Sequence, residues 1–422
     1  MVAAKDEAAG VGAQPWLTAP ETRAVMAALE AAGGPDCARF VGGCVRNALM
    51  RRPVDDVDIA TVLRPEAVIA AIEAAGLKAV PTGVEHGTVT AVSGGRPFEI
   101  TTLRRDIETD GRRAVVAFTE DWSEDAARRD FRLNALYADA GGTVFDPVGC
   151  GIDDALAGRI VFVGDAETRI REDHLRILRF FRFTAWYGRG EPDAGALAAC
   201  ARLKGLLPAV SAERTAKELL KLLAADDPRP TVRLMAQTGV LAEILPEAVG
   251  TARLERLVEV QTDQLFENDA LLRLAALLPD DPAAALRAAE RLRLSNAQRD
   301  RLTAALGTDP RIVSWASPRE ARRLVYRLGA EAFADRVRLA WAASDRPATT
   351  PQWRGLLAVG ATWAPPAFPL NGEDVVKAGV PRGPMVGEVL REVEAWWIDH
   401  DFIDDKFSAI ERLKAVAQGM AY

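Results

Sequence analysis

The sequence predicts an α+β fold, with an N-terminal head on a small mixed β-sheet and a remainder that is all helical. Three observations carry this. Short β-rich runs alternating with glycine fill the chain up to about residue 165. Amphipathic helical patterns fill nearly everything after it. No segment recurs at the roughly 20–50 residue spacing of a solenoid, so stacked repeats are excluded.

Met1–Gln14 holds Asp6 and Glu7 and lacks an apolar core, so it reads as a flexible tail, extending to about residue 19, and not as a signal peptide. In the head, strands are expected at Arg39–Val41, Thr88–Val92, Phe98–Thr102, Val115–Phe118 and Thr143–Asp146. Helices are expected at Pro20–Ala32, Val45–Met50 and Pro65–Ala75. Beyond residue 165, helical periodicity marks Glu172–Tyr187, Ala212–Ala224, Thr231–Thr238, Ala270–Leu278, Ala283–Leu292, Ala297–Leu306 and Gly387–His400. Pro- and Gly-bearing loops separate them.

At 422 residues the chain has room for about three domains. With 49% hydrophobic and 27% charged residues it has an ordinary globular balance. No apolar run approaches the roughly 20 residues needed to cross a bilayer. The four cysteines are too far apart in sequence for a metal-ligand motif and read as reduced thiols, which points to the cytoplasm. The net charge of −7 argues against a general nucleic-acid binder. Arginine, however, crowds at Arg104–Arg132, Arg169–Arg189 and Arg287–Arg327, and its planar fork suits phosphate. The competing reading is of helix faces whose arginines pair with acidic neighbours.

The densest chemical signal runs from Phe40 to Thr61. A strand end meets Gly42-Gly43 and a helix opens that carries Arg46, an arrangement that brings backbone N–H groups and a cation to a phosphate. Asp56 and Asp58 follow, alternating with Val57 and Ile59, so a strand would project both carboxylates from one face. Side-by-side carboxylates repel unless they share hard divalent cations such as Mg²⁺. Two such ions serve phosphoryl transfer, one at the attacking hydroxyl and one at the leaving pyrophosphate. Glu99, in the alternating run Phe98–Thr102, is a candidate third carboxylate. In Arg128-Arg129-Asp130-Phe131-Arg132-Leu133-Asn134, Arg129 suits a triphosphate, and Asp130 or Asn134 suits ribose hydroxyls.

On one continuous helix, Glu172, Arg176 and Arg179 share a stripe with Asp173 beside Arg176. An Asp acceptor beside an Arg donor matches the amino group and ring nitrogen of cytosine and of adenine, and mismatches uracil and guanine. One such pair selects C and A without a template.

In combination and order, Gly-Gly-x-Val-Arg, Asp-x-Asp, Arg-Arg-Asp-Phe-x-x-Asn and Glu-Asp-x-x-Arg resemble the class II tRNA nucleotidyltransferases, or CCA-adding enzymes. They also resemble the related bacterial poly(A) polymerases of the polymerase β nucleotidyltransferase superfamily. The likeness is strong from about residue 38 to 190 and continues more weakly to the end. It implies a nucleotidyltransferase head at 20–164, a base-recognising helical neck at 165–240, and an RNA-binding body and tail at 241–422. By the same likeness, Gly42, Gly43 and Arg46 contact the incoming nucleotide, and Asp56 and Asp58 bind Mg²⁺ with Glu99 as a further catalytic carboxylate. Arg129, Asp130 and Asn134 hold triphosphate and sugar, Asp173 and Arg176 read the base, and Arg179 and Arg182 line the pocket. Ser211–Leu223 resembles a further neck motif, and Pro369–Leu390 resembles a tail that touches tRNA. The implied reaction is addition of C, C and A from CTP and ATP to the tRNA 3′ end. The alternative is poly(A) synthesis or partial CC or A addition. No membrane and no stable protein partner are implied. Asn47 departs from the family's usual Asp, removing a charge expected to orient Arg46, and His174 replaces a commoner small residue or proline. His400-Asp401 is the only His-Asp dipeptide among three histidines, so a metal-dependent phosphohydrolase domain is not supported.

Overall fold

The computed structural model describes residues 10–12, 14–110, 113–344, 349–402 and 405–419. The chain divides into two compact units, Met1–Pro246 and Glu247–Tyr422.

The first unit carries every strand among the described residues. These are β1 (Ala38–Val41), β2 (Asp58–Thr61), β3 (Lys78–Gly83), β4 (Thr88–Ser93), β5 (Arg96–Thr102), β6 (Arg104–Asp110), β7 (Arg113–Phe118), β8 (Tyr137–Ala138) and β9 (Val144–Phe145). Its helices are α1 (Pro15–Thr18), α2 (Pro20–Gly33), α3 (Gly43–Leu49), α4 (Pro65–Ala74), α5 (Trp122–Ala127), α6 (Gly151–Ala157), α7 (Ala166–Glu172), α8 (Arg176–Tyr187), α9 (Ala194–Leu203), α10 (Ala212–Leu223), α11 (Arg229–Thr238) and α12 (Val240–Ile244). Seven strands form one mixed sheet in the order β3-β4-β5-β2-β1-β8-β9, while β6 and β7 form a separate hairpin. The one parallel pair, β2 with β5, sets Asp58 opposite Glu99. Alternation places Val89, Ala91, Phe98 and Ile100 in the core, where α2 and α4 pack against the sheet. Beside β1 and β2, Val41, Ala60, Leu103, Ala126, Ala135, Tyr137 and Val163 form a second apolar cluster.

Local chemistry starts and stops these elements. Asp121, Asp165 and Asp193 cap α5, α7 and α9 through backbone N–H groups of the first turns. Pro20 and Pro65 open α2 and α4 at positions where a missing N–H costs nothing.

Two expectations need correction. Of the expected flexible tail, Met1–Ala9 lies outside the described residues, but Val11 and Trp16 are buried, Gly10 bridges Thr143, and Pro15–Thr18 is helical. The single helix expected over Glu172–Tyr187 is two helices. Asp173 leaves helical geometry (φ −147°, ψ 106°), and its side chain accepts from Leu175 N. A short Asp side chain competes with the helix for backbone donors, which favours a break and a new start at this point.

The second unit is helical throughout its described residues, from Ala252–Asp263 to Lys406–Gly419. One core gathers Phe333, Val337, Trp341, Trp353 and Leu356, and another gathers Leu370, Val375, Val389, Val393, Ala409 and Leu413. Much of the arginine cluster at Arg287–Arg327 is paired with acidic partners. Arg291 pairs with Glu247, Arg301 with Asp335, and Arg322 and Arg323 with Asp401 and Asp399. For these arginines the ion-pair reading holds over the phosphate reading.

Candidate active site

The Gly-Gly turn sits at the start of α3. Gly42 adopts φ 69°, a left-handed conformation that a side chain would strain, and a Cβ there would lie 3.6 Å from Arg129 Nη1. The turn therefore brings bare backbone beside a guanidinium. Arg129 in turn stands close enough to Asp58 to draw its carboxyl downward.

Asp58 opens β2, whereas Asp56 lies two residues before it, outside the strand and exposed. The expectation of one strand carrying both is corrected in that respect. Burial, then the nearby Glu99 and Asp56, lift Asp58 to about 6 against the pull of Arg129. Among the described residues no three His, Cys, Asp or Glu side chains form a closed metal cage, so Glu99 faces Asp58 without completing one. The donor set still fits Mg²⁺. Hard carboxylate oxygens, those of Asp56 and Glu99 exposed, suit an ion that keeps waters and takes its remaining ligands from substrate phosphates. The uncompensated repulsion at Asp58 is what such a cation relieves.

Arg129 is held by a residue that the sequence reading passed over. Asp125 on α5, 1% exposed, accepts from Arg129 Nη2 at 2.9 Å through Oδ2, and the Tyr137 hydroxyl donates to the same oxygen at 2.7 Å. Its Oδ1 takes Arg128 Nη2 at 2.7 Å. Burial alone would raise this carboxyl, but Arg129 and Arg128 outweigh it and hold it at about 2. The available signal was spacing: Asp125 precedes the two arginines by three and four residues. Tyr137 had no local signal.

Arg46 is buried, and four of its five N–H groups have assigned partners. It donates to Asn134 Oδ1 (2.6 Å), to Asn47 Oδ1 (2.8 Å from Nη2) and to the Tyr187 hydroxyl (2.8 Å), while its guanidinium lies 4.1 Å from the Tyr187 ring. The acceptor that a carboxylate would offer Arg46 at this position is thus supplied by the amide oxygen of Asn47. Asn134 Nδ2 passes the chain on to Asp130 Oδ1 (3.0 Å), and Asp130 Oδ2 accepts from Arg179 Nε (2.7 Å). Despite burial, Arg179 and Asn134 keep Asp130 at about 2. Asp130 and Asn134, expected at ribose hydroxyls, are therefore committed to an internal relay joining α3 to α8. Phe131, Phe162, Phe180 and Phe183 pack beside it with ring centroids 4.9–5.9 Å apart.

The two expected base readers flank the break between α7 and α8. Arg176 Nη1 donates to Glu172 Oε2 (2.6 Å) and the Arg169 carbonyl (3.0 Å), and Nη2 donates to the Arg128 carbonyl (3.0 Å). Three of its five N–H groups are thus assigned, and the last contact sets it one residue from Arg129. Asp173 stays next to Arg176, whose backbone N–H donates to the Asp173 carbonyl at 2.9 Å. Asp173 Oδ2 accepts from Arg214 Nη2 on α10 at 2.8 Å. Arg182 pairs with Glu218 at 3.1 Å, also across to α10. The motif at Ser211–Leu223 therefore supplies partners for α8 and the break before it.

A carboxylate pair at the start of a central strand, a glycine turn and a clamped arginine beside it define the head of a nucleotidyltransferase. Residues 38–161 match the family described as the poly A polymerase head domain, and residues 192–250 match the probable RNA and SrmB-binding site of polymerase A. The chain is 32% identical to the mitochondrial CCA tRNA nucleotidyltransferase 1 of Mus musculus over 403 residues, covering 89% of this chain and 86% of that protein. It is 40% identical over 224 residues to the CCA-adding enzyme of Geobacillus stearothermophilus, about half of each chain. Among solved structures, the Bacillus stearothermophilus CCA-adding enzyme in complex with CTP superposes with a TM-score of 0.74 at 29% identity, covering 95% of this chain and 97% of that one. The chain belongs to the family of CCA-adding enzymes, the CCA tRNA nucleotidyltransferases.

Proposed function

We propose that the protein adds C, C and A in turn, from CTP and ATP, to the 3′ end of tRNA, without a nucleic-acid template and with release of pyrophosphate. The observation that carries this is the Asp58–Glu99 register with Asp56 alongside, next to Gly42 and Arg129, in a chain of this family. The Mus musculus relative is named as a CCA tRNA nucleotidyltransferase, and the Bacillus stearothermophilus CCA-adding enzyme is described in complex with CTP. Asp56 and Asp58 would hold Mg²⁺, with Glu99 supporting the negative field. Bound there, divalent ions supply charge neutralisation at the attacking hydroxyl and the leaving pyrophosphate. The backbone of Gly42 and Gly43 approaches the triphosphate, and Arg129, locked by Asp125, meets its oxygens in a fixed fork. Asp173 accepts from the exocyclic amino group of C or A, and the remaining N–H groups of Arg176 reach the ring nitrogen. Arg46, Asp130, Asn134, Arg179 and Arg182 hold these parts in register. Four free thiols suit the reducing cytoplasm as its compartment.

Both matched segments carry poly(A) polymerase descriptions, which favours poly(A) synthesis as the second reading. One assay separates them. The protein is incubated with tRNA lacking its last three nucleotides and each labelled NTP in turn. CCA addition requires C before A and stops after one A, whereas unlimited A incorporation without CTP overturns it. Asp58→Ala is expected to abolish transfer, and a near-normal rate removes the carboxylate from catalysis.

A further inference from the structure

The position of Asp56 is not set by the sheet. Asp58 is fixed by strand pairing, but Asp56 lies in the stretch between α3 and β2, where the described backbone makes no ladder. Val57, next to Asp56, is buried, and two side chains tether the backbone of the stretch by hydrogen bonds. Asn47 Nδ2 donates to the Pro53 carbonyl at 2.7 Å, and Arg96 Nη2 donates to the Asp55 carbonyl at 3.1 Å. Asp56 follows directly after the second tether.

Asn47 works from both ends. Its Oδ1 accepts from Arg46 Nε at 3.1 Å and Nη2 at 2.8 Å, while its Nδ2 grips Pro53. The network fixes the amide orientation: a flipped amide would turn its NH₂ toward guanidinium donors and its oxygen toward a carbonyl. A carboxylate at this place would accept from Arg46 but have no donor for Pro53. It would set two oxygens at the contact distance of a hydrogen bond.

We propose that Asn47 is a positioning residue that couples the two halves of the site, orienting Arg46 on one side and, through Pro53, placing Asp56 for the divalent ion on the other. The proposal rests on the reading of Asp56 and Asp58 as metal ligands. Partners that orient metal ligands from behind commonly govern affinity for the ion. In this chain the amide accepts from Arg46 and donates to Pro53 at once, a pair of contacts that a carboxylate in its place could not make together.

The test compares Asn47→Asp and Asn47→Ala in the full chain by two binding measurements that need no turnover. One is Mn²⁺ alone, followed by the electron paramagnetic resonance of the free ion. The other is CTP in EDTA, followed by calorimetry. Asn47→Asp keeps the acceptor for Arg46 and loses the donor to Pro53. It should leave metal-free CTP affinity within about twofold and weaken Mn²⁺ by about three- to tenfold, the size of one neutral hydrogen bond. The sign is diagnostic, because an added negative charge acting alone would tighten a cation. Asn47→Ala should weaken both ligands. Arg96→Gln, which cuts the other tether and leaves Arg46 untouched, should also weaken Mn²⁺ although it removes a positive charge. It decides the matter if the Asn47 variants fail to fold. Asn47→Asp or Arg96→Gln binding Mn²⁺ as tightly as the parent or tighter overturns the proposal. Asp58→Ala serves as the control: undiminished Mn²⁺ binding there overturns the metal-ligand reading itself, and lost binding leaves that reading standing while the tether variants decide this one.

Discussion

Asp125→Asn keeps the shape of a side chain on which two arginines depend. In the parent, one oxygen serves Arg128 and the other serves Arg129 and the Tyr137 hydroxyl. The amide must present NH₂ to one of those donor sets. Lowering the carboxyl from 3.8 to about 2 corresponds, at about 1.4 kcal/mol per unit, to about 2–3 kcal/mol. Because the folded-state value is depressed, that stabilisation is present in full above the unfolded value near 3.8 and is lost as pH falls toward 2. At pH 7 the variant should therefore lose about 2–3 kcal/mol, a drop of about 5–10 °C for a unit of this size. The gap to the parent should close below about pH 4. Arg129 loses its anchor as well, so KM for CTP and ATP should rise together while the CTP-to-UTP incorporation ratio holds. Thermal melts across pH and initial rates on trimmed tRNA supply both readouts. A variant melting within about 1 °C of the parent at pH 7, with unchanged KM, refutes the reasoning.

Further expectations follow from the same geometry. Burial, then repulsion from Glu99 and Asp56, lift Asp58 to about 6 from its ordinary 3.8, so its ionisation destabilises the head increasingly as pH rises from about 4 to above 6. Mg²⁺ should accordingly raise the melting temperature more at pH 7.5 than at pH 5, and equal shifts at the two pH values would count against a cation at Asp58. Asp173→Ala should lower the CTP-to-UTP and ATP-to-GTP incorporation ratios by about ten- to a hundredfold, the worth of one base contact. Equal slowing of all four nucleotides would remove it from base reading. Tyr187→Phe removes an acceptor from the buried Arg46 and should cost about 1–3 kcal/mol of stability, checked by urea melts.

Locally encoded features of this fold could be read from the sequence, and those made by closure of the chain could not. Alternation in Phe98–Thr102 marks a strand whichever neighbour it has, but the parallel pairing that sets Glu99 opposite Asp58 joins segments about forty residues apart. The Gly-Gly turn is visible because left-handed backbone needs glycine. The failure at Glu172–Tyr187 is instructive: apolar periodicity runs across the break, so a 3.6-residue pattern reports a continuous face even where an Asp ends one helix and starts the next. The same limit applies to roles. Asp130 and Asn134 stand in a motif that suits sugar hydroxyls, yet their side chains meet Arg179 and Arg46 from distant parts of the chain. A polar side chain's role depends on which donors reach it first, and in a buried site those donors come from other elements. Asn47 makes the point most sharply. As a sequence departure it reads as the loss of a charge, but its neighbours give it two partners that only an amide satisfies together.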